Sequence, residues 1–170
     1  RSKRRNQVRR ERRALAEQGI EIVVHRGAEI PAALPPRLFA LYRSTIERLT
    51  WGQEYLNARF FALARERFAE RLCWIVARRE GEVIAGTFNV EKGDTLYGRW
   101  WGSAAELRHL HFNVCYYAAI EHCIAHGLKR FEPGAGGEFK QLRGFEATPT
   151  ESVHLLTDPR PAAAVGDFLR

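Results

Sequence analysis

The order of sequence patterns predicts an α/β (α+β) fold, in which a mixed, mainly antiparallel sheet is flanked by helices. Three consecutive segments rich in β-branched and aromatic residues lie between residues 73 and 102, separated only by the short turns Glu80-Gly81 and Lys92-Gly93-Asp94. Turns of this length join antiparallel strands. Segments with helical spacing of apolar residues come before and after them. We therefore expect the helices to pack on the faces of this sheet.

Residues 1–13 are strongly basic. They carry eight basic side chains against Glu11 alone, a net charge of +7, whereas the remaining 157 residues carry 19 basic and 19 acidic groups. A helix is predicted over residues 4–18, with Gly19 as its stop. Its apolar stripe is thin, so we expect at most light packing on the body. A helix that faces nucleic acid and a solvated interdomain helix are both open interpretations.

Each later element follows from its own local pattern. Alternation predicts a strand at Ile20–His25. Pro36 is placed to open a helix that runs to about Leu49. The spacing of apolar residues predicts a second helix from Asn57 to Phe68. The elements predicted after these are, in chain order, the strands Cys73–Arg78, Val83–Val90 and Leu96–Gly102, the helix His109–His126, the strand Leu128–Glu132, the strand Ser152–Leu156 and the helix Ala162–Leu169.

Length and composition predict one domain with a proper core. We assign residues 1–19 to a basic lead-in helix or interdomain linker and residues 20–170 to a single domain. The chain begins with Arg and contains no Met, so we expect a C-terminal piece of a longer protein with an upstream domain. The three cysteines indicate small buried hydrophobes in a reducing compartment, and neither a membrane span nor a signal peptide is found, so the expected location is the cytoplasm.

A glycine-rich loop after the Leu128–Glu132 strand is the main candidate for a binding site. Its glycines, Gly134, Gly136 and Gly137, could place backbone N–H groups against a phosphate or a carboxylate, or could form a flexible turn. Glu132 stands before the loop, and Glu138, Lys140 and Arg143 stand after it. With Arg99, Trp100 and Trp101 beside them, these charged groups predict a polar pocket.

No metal site is predicted. His122 and His126 lie four residues apart on one predicted helix, which is the spacing of metal ligands, but no third ligand stands nearby in the sequence. A solvated helix end is the favoured interpretation. Sequence motifs of metalloproteases, P-loop enzymes and esterases are absent from the chain, so those classes have no support.

The element order and a set of motifs resemble known families. The predicted order of elements is similar to that of the GCN5-related N-acetyltransferase (GNAT) fold. This order is a strand, two helices, three meander strands, a helix, a strand, a loop and a strand. A series of motifs resembles the FemAB-like predicted N-acyltransferases of peptidoglycan biosynthesis. In chain order these motifs are YGRWWG, LHF-x-x-CYY-x-x-IE, GLKRFEPGAGGEFK-x-x-RGF and PT-x-S-x-H. The resemblance covers nearly the whole chain. It departs from the family at Phe139, where a histidine is usual.

The resemblance implies transfer of an acyl or aminoacyl group to an amine acceptor in peptidoglycan or cell-envelope metabolism. The acyl donor stays open between aminoacyl-tRNA and acyl-CoA, and no cofactor is assigned. In GNAT enzymes that use acetyl-CoA, a basic, glycine-rich loop before the central helix holds the pyrophosphate. The corresponding junction here, SAAELRHLHF, has no glycine beyond Gly102. That absence argues against a standard acetyl-CoA site.

Direct acyl transfer needs a base for the amine proton and donors for the oxyanion, and no covalent nucleophile. Our candidates are Glu132 or Glu138 as the base, Lys140 and Arg143 as anion clamps, and Arg99 as a second anion contact. His111, Tyr117 and His154 are candidate proton carriers. The predicted substrate-binding residues are Arg99, Trp100, Trp101, Tyr116, Gly134, Gly136 and Gly137. The alternatives are a nucleic-acid (tRNA)-binding module that uses the Arg-rich helix and a non-catalytic GNAT-like scaffold.

Overall fold

Five strands form one sheet, and their bounds agree closely with the predicted ones. The computed structural model describes residues 2–49, 52–135 and 137–169. The strands are β1 (Ile20–Arg26), β2 (Leu72–Arg79), β3 (Glu82–Lys92), β4 (Thr95–Ser103) and β5 (Arg130–Glu132). They lie in the order β1-β2-β3-β4-β5, with antiparallel pairing up to β4 and parallel pairing between β4 and β5. The predicted mixed, mainly antiparallel sheet is confirmed.

Residue contacts divide the chain into two compact units, one that ends at Gly134 and one that begins at Ala135. The first unit contains the whole sheet. Its helices are α1 (Ser2–Ala16), α2 (Leu34–Ile46), α3 (Ala58–Phe68), α4 (Leu110–Phe112) and α5 (Ala118–Ala125), with a π-helix, Asn113–Tyr117, between the last two. The domain boundaries expected from the sequence stay predictions.

Alternation along β2 separates two hydrophobic cores, one on each face of the sheet. Cys73 and Ile75 face the first core, which is covered by Leu15 of α1, Leu110 of α4 and residues of the helical segment that follows. Trp74 and Val76 face the second core, which is covered by α2 and α3. Helices therefore flank the sheet on both sides, as predicted.

Helix α1 packs more firmly than its thin apolar stripe predicted. Leu15 is 2% exposed and Glu11 is 5% exposed. Asn113 donates a side-chain hydrogen bond to the Glu11 carbonyl, and Arg12 forms an ion pair with Glu121 of α5. The expectation of light packing was wrong, because polar contacts add to the single buried leucine.

The helix predicted from His109 to His126 is present but is not uniform. His109 has a left-handed backbone (φ 70°), and the Asn113 side chain donates a hydrogen bond to its carbonyl oxygen at 2.9 Å. The helical segment then widens into the π-helix before α5. A π-turn shifts all later side chains around the helix axis, and such turns are frequent at functional sites. As a result Val114, Tyr117 and His122 are buried, which the α-helical spacing did not predict.

The second unit contains a turn of 3₁₀-helix, Glu138–Arg143, and the terminal helix α6 (Pro159–Phe168). The terminal helix was predicted, but the strand predicted at Ser152–Leu156 was wrong. That segment has no regular structure, and Val153 and Leu155 are 99% and 89% exposed. A strand needs a neighbour for its backbone hydrogen bonds, and none of the strand pairings in the described part of the chain includes this segment. No helix among the described residues is long and apolar enough to span a membrane.

Candidate active site

The sheet opens at its β4–β5 edge. The parallel pairing joins Thr95 to Arg130, Leu96 to Phe131 and Tyr97 to Glu132. On the other side of β4, pairing with β3 continues as far as Ser103. Within the described residues, the part of β4 beyond Tyr97 is therefore paired with a strand on one side only. On its other side residues 98–103 have no strand partner among those described residues, and this break in the pairing is the gap, where a backbone group can accept a hydrogen bond from a ligand or donate one to it.

Three of the predicted site residues meet beside this open part of β4. The rings of Trp101 and His111 are 5.1 Å apart between centroids, and those of His111 and Tyr116 are 5.4 Å apart, both in edge-to-face contact. Tyr116 is buried, while Trp101 and His111 are partly exposed. An imidazole held between aromatic rings is fixed in orientation and partly shielded from water. Such a group suits proton transfer to or from a bound substrate.

A β-bulge at Arg99 determines which tryptophan joins this cluster. Trp100 pairs with Phe88 and Gly98 pairs with Asn89, so Arg99 is the extra residue. The bulge turns Trp101 toward the first core and Trp100 toward the second, where it lies 5.4 Å from Phe88 between ring centroids. Trp100 thus supports the second core and is not brought together with Trp101. Arg99 itself is exposed and lies 5.7 Å from the Tyr97 ring centroid.

Glu132 and Gly134 lie where β5 ends. Glu132 pairs with Tyr97 at the last rung of the parallel pairing, so the residue lies next to the gap, and it is partly exposed. Gly134 has φ +80°, and a Cβ built on it would lie 3.5 Å from the Gly98 carbonyl oxygen. The left-handed backbone favours glycine here and keeps the chain against β4.

The loop residues Glu138, Lys140 and Arg143 belong to the second unit. Lys140 and Arg143 are three residues apart in a 3₁₀ turn, which puts both cations on one face. Lys140 Nζ donates to the Ala135 carbonyl oxygen at 3.1 Å, and Arg143 donates to the Phe139 carbonyl oxygen at 3.0 Å. Gly137 has φ +88°, and Gly136 lies outside the described residues.

His154 is also in the second unit, in the irregular segment before α6. It is exposed, and its Nε2 lies 2.9 Å from the Ser152 hydroxyl. Its predicted role as a proton carrier, like the roles of the other loop residues, stays a prediction.

Tyr117 has a structural contact that the sequence did not reveal. Its hydroxyl donates a hydrogen bond to the buried carboxylate of Glu11 in α1, which also accepts one from Gln7 at 2.7 Å. Both residues are at most 7% exposed. The arrangement ties α1 to the π-helix next to Tyr116, and the predicted role of Tyr117 as a proton carrier stays a prediction.

We expect Tyr117→Phe to lower the free energy of unfolding by about 1–3 kcal/mol, because a buried carboxylate loses a hydrogen-bond donor. Chemical denaturation measures this, with Tyr55→Phe as the control. The Tyr55 side chain is 79% exposed, so its hydroxyl should contribute within about 0.5 kcal/mol. An unchanged stability combined with a loss of acyl transfer would instead support the predicted catalytic role of Tyr117.

A second polar cluster lies on the same face of the sheet and was missed entirely. Arg26 of β1 contacts both oxygens of Glu91, with Nε–Oε1 2.9 Å and Nη2–Oε2 2.6 Å, and His122 Nε2 lies 2.8 Å from Glu91 Oε1. Burial raises the pKa of Glu91, but the hydrogen bonds from Arg26 and His122 outweigh it and leave that pKa below its ordinary value. Burial lowers the pKa of His122. At neutral pH the cluster therefore contains an ionised Glu91 and a neutral His122.

The cluster borders a cavity of about 390 Å³ that is open to solvent. Its walls come from β1, α1, the π-helix and α5, and include Arg26, Tyr117 and His122. The interpretation of His122 as part of a solvated helix end was wrong, since its side chain is 1% exposed, whereas His126 is exposed as expected. No local pattern could predict this pairing, because Arg26 and Glu91 are 65 residues apart in the chain.

Solved structures similar to this chain define the class of fold. A possible acetyltransferase from Clostridium difficile matches with a TM-score of 0.59 and 13% identity, covering 82% of this chain and 99% of that one. An aminoglycoside N-acetyltransferase in complex with CoA matches with a TM-score of 0.56 and 13% identity, covering 82% and 97%. At such identities the likeness shows the fold alone, which is the GNAT acetyltransferase fold expected from the element order.

The C-terminal domain of a putative lysylphosphatidylglycerol synthetase from Agrobacterium fabrum is also similar, with a TM-score of 0.56 and 14% identity. The match covers 72% of this chain and 38% of that one. No curated protein sequence matches the chain. A family model, FemAB-like, described as peptidoglycan biosynthesis/recognition, matches residues 1–170. The chain belongs to the FemAB-like family, as its motifs indicated.

Proposed function

We propose that this protein is an N-acyltransferase, which transfers an acyl or aminoacyl group to an amine acceptor in peptidoglycan or cell-envelope metabolism. The observation that carries the proposal is the open edge of β4 with the Trp101–His111–Tyr116 cluster beside it. The GNAT fold and membership of the FemAB-like family support the reaction class. A cytoplasmic location and an upstream domain of the same chain are parts of this proposal.

The donor carbonyl would lie along the open edge of β4. Backbone N–H groups that face the gap would donate hydrogen bonds to its oxygen as negative charge develops there. The acceptor amine would attack the carbonyl carbon, and His111 would take the proton that the amine loses. Collapse of the tetrahedral intermediate would expel the thiol of CoA or the ribose hydroxyl of tRNA, which would receive that proton from His111.

The charged groups around the glycine loop would hold the substrates. Glu132, at the gap where β5 ends, would bind the acceptor's ammonium group and help to deprotonate it. Glu138, in the second unit, is the other candidate for this base. In the second unit, Lys140 and Arg143, on one face of their 3₁₀ turn, would bind a phosphate or carboxylate of a substrate. In the first unit, Arg99 is a separate candidate for contact with an anion.

The first test is transfer itself. Aminoacyl-tRNA and acetyl-CoA, each labelled in the acyl group, would be incubated with the protein and with peptides that carry a lysine or diamino-acid amine. We expect labelled amide from one of the two donors. Because the SAAELRHLHF junction has no glycine beyond Gly102, transfer from aminoacyl-tRNA is the expected outcome. Absence of amide with every donor and acceptor would favour the non-catalytic scaffold.

A second candidate function is tRNA or other nucleic-acid binding through α1. Lys3 and five arginines of this helix are exposed, whereas Leu15 and Glu11 anchor the helix to the body. A fixed helix with a row of exposed cations can contact successive phosphates. The two functions are compatible if the donor is a tRNA.

We expect the triple variant Arg5→Gln, Arg9→Gln, Arg13→Gln to weaken tRNA binding and to reduce the slope of log K against log salt by about 3, if each residue contacts one phosphate. The matched control removes the same charge from α3 and its neighbouring turn, at the exposed residues Arg59, Arg67 and Arg71. Filter binding at several salt concentrations measures both. Equal slopes in the two variants would rule out α1 as the contact. Deleting residues 1–13 is a poorer test, because it also removes the buried Glu11.

A further inference from the structure

The second polar cluster contains three side chains of the metal-ligand type. Cys73 of β2, Glu91 of β3 and His122 of α5 each offer one ligand atom, and these three atoms lie within 4.8 Å of one another. The residues are 0%, 8% and 4% exposed, respectively. They come from three elements that pack together on the first face of the sheet. None of them belongs to the candidate active site.

We infer that Cys73, Glu91 and His122 form a binding site for a divalent transition metal of the zinc class. Thiolate sulfur, imidazole nitrogen and carboxylate oxygen are the ligands that Zn²⁺ takes in proteins, at about 2.3, 2.0 and 2.0–2.2 Å. Ligand atoms of a tetrahedral zinc are then roughly 3.3–3.8 Å apart. The three atoms lie within 4.8 Å of one another, and His122 Nε2 and Glu91 Oε1 are 2.8 Å apart, so side-chain rotations that separate His122 slightly from Glu91 would suit a metal ion. The fourth position would be left for water or an external ligand.

Arg26 supplies the outer contact that a carboxylate ligand commonly has. Its Nη2 binds Glu91 Oε2 at 2.6 Å, on the oxygen that His122 does not contact, so that bond can remain while Oε1 turns to the metal. Arg26 also limits the affinity, because its charge already balances Glu91. The Cys73 thiolate therefore has to supply the additional negative charge that balances the metal.

Metal binding would replace a proton at Cys73. Burial and the neighbouring Glu91 raise the pKa of this thiol, so it is protonated in the metal-free protein. Binding of the divalent ion breaks the S–H bond and forms the metal–sulfur bond, and one proton leaves to solvent. His122 stays neutral and only shifts its ring proton to Nδ1. We expect one proton to be released for each metal ion bound.

The cavity provides a path to the site. Arg26 and His122 both line it, and it is open to solvent, so an ion can approach the cluster without unfolding of the sheet. Of the three proposed ligands, His122 lines the cavity, so a fourth ligand would enter from the His122 side of the cluster. This arrangement, with three protein ligands and one open position, is typical of zinc sites that bind a further ligand.

The test uses Co²⁺ as a spectroscopic substitute for Zn²⁺ in protein stripped with a chelator. We expect one Co²⁺ per chain with a thiolate-to-cobalt charge-transfer band, and its displacement by Zn²⁺. Cys73→Ser should abolish the band, and His122→Gln should weaken binding by more than about 100-fold. Cys115→Ser is the matched control, since Cys115 is a thiol outside the cluster, and it should leave the band unchanged.

Two results would overturn the inference. One is failure of the wild-type protein to bind one metal ion per chain. The other is a charge-transfer band that survives Cys73→Ser or is lost in Cys115→Ser. Because the wild-type titration needs no substitution, a variant that folds poorly cannot obscure the answer. In either case the cluster would be an Arg26–Glu91 ion pair with a hydrogen-bonded, neutral His122, and not a metal site.

Discussion

Replacement of His111 by phenylalanine is expected to lower the rate of acyl transfer by about 10²- to 10⁴-fold. Phenylalanine keeps a ring in contact with Trp101 and Tyr116, so the packing of the cluster is largely retained. Both ring nitrogens are lost, and with them the group that would accept the amine proton. The expected change is therefore in kcat, with the free energy of unfolding altered by less than about 1 kcal/mol.

His126→Asn is the control for this experiment. His126 lies farther along the same helical segment and is exposed, so its loss should leave transfer near the wild-type rate. Steady-state kinetics with the donor identified in the transfer assay would separate kcat from KM, and thermal unfolding would report the folded state. A His111→Phe enzyme with normal kcat would exclude His111 as the proton carrier. Glu132, at the edge of the gap, would then be the next residue to substitute.

Most of the fold could be predicted because strands and helices each produce a characteristic local spacing of apolar residues in the sequence. β1 to β4 alternate or are rich in β-branched or aromatic residues, and each was found within two residues of its predicted bounds. Ser152–Leu156 has a similar pattern but no partner strand, and this segment does not form a strand. Alternation shows that a strand would have one apolar and one polar face. Burial of the apolar face also requires a neighbouring element, which the pattern does not show.

The candidate site was predictable in composition and not in arrangement. Alternation places Trp100 and Trp101 on opposite faces, but the bulge at Arg99 decides which one meets His111. No local sequence pattern predicts a β-bulge at Arg99. The buried carboxylates were missed for a related reason, since Glu11 and Glu91 each have one partner more than 60 residues away in the chain, Tyr117 and Arg26 respectively. In the sequence both look like ordinary surface charges.

Gly102 at the end of β4 is the position where we expect the largest effect on folding. A Cβ built there would lie 2.1 Å from the Leu41 carbonyl oxygen, 2.3 Å from the Leu41 carbonyl carbon and 2.8 Å from the Tyr42 nitrogen. All three atoms belong to the backbone of α2, so no side-chain rotation can relieve the clash. The contact is reinforced by Ser44, whose hydroxyl donates to the Ser103 carbonyl oxygen at 3.0 Å.

Gly102→Ala should therefore lower the free energy of unfolding by about 3 kcal/mol or more, because α2 has to move away from β4. Gly86→Ala is a graded comparison. Its Cβ would meet the flexible Leu38 Cδ2 at 2.5 Å, which can turn aside at a smaller cost. Gly166→Ala is the control, since nothing lies within 4 Å of a Cβ there and alanine favours the helix by about 1 kcal/mol.

Urea denaturation of the three variants would test this order. Equal stability of Gly102→Ala and Gly86→Ala would show that α2 does not approach β4 as closely as described. The comparison also bears on the candidate site, because Gly102 is next to Trp101. If the close contact between α2 and β4 fixes the Trp101–His111 geometry, transfer by any folded Gly102→Ala protein should fall, while Gly86→Ala should keep its rate. A loss of stability without a loss of transfer would mean that the cluster is positioned by the bulge and the π-helix alone.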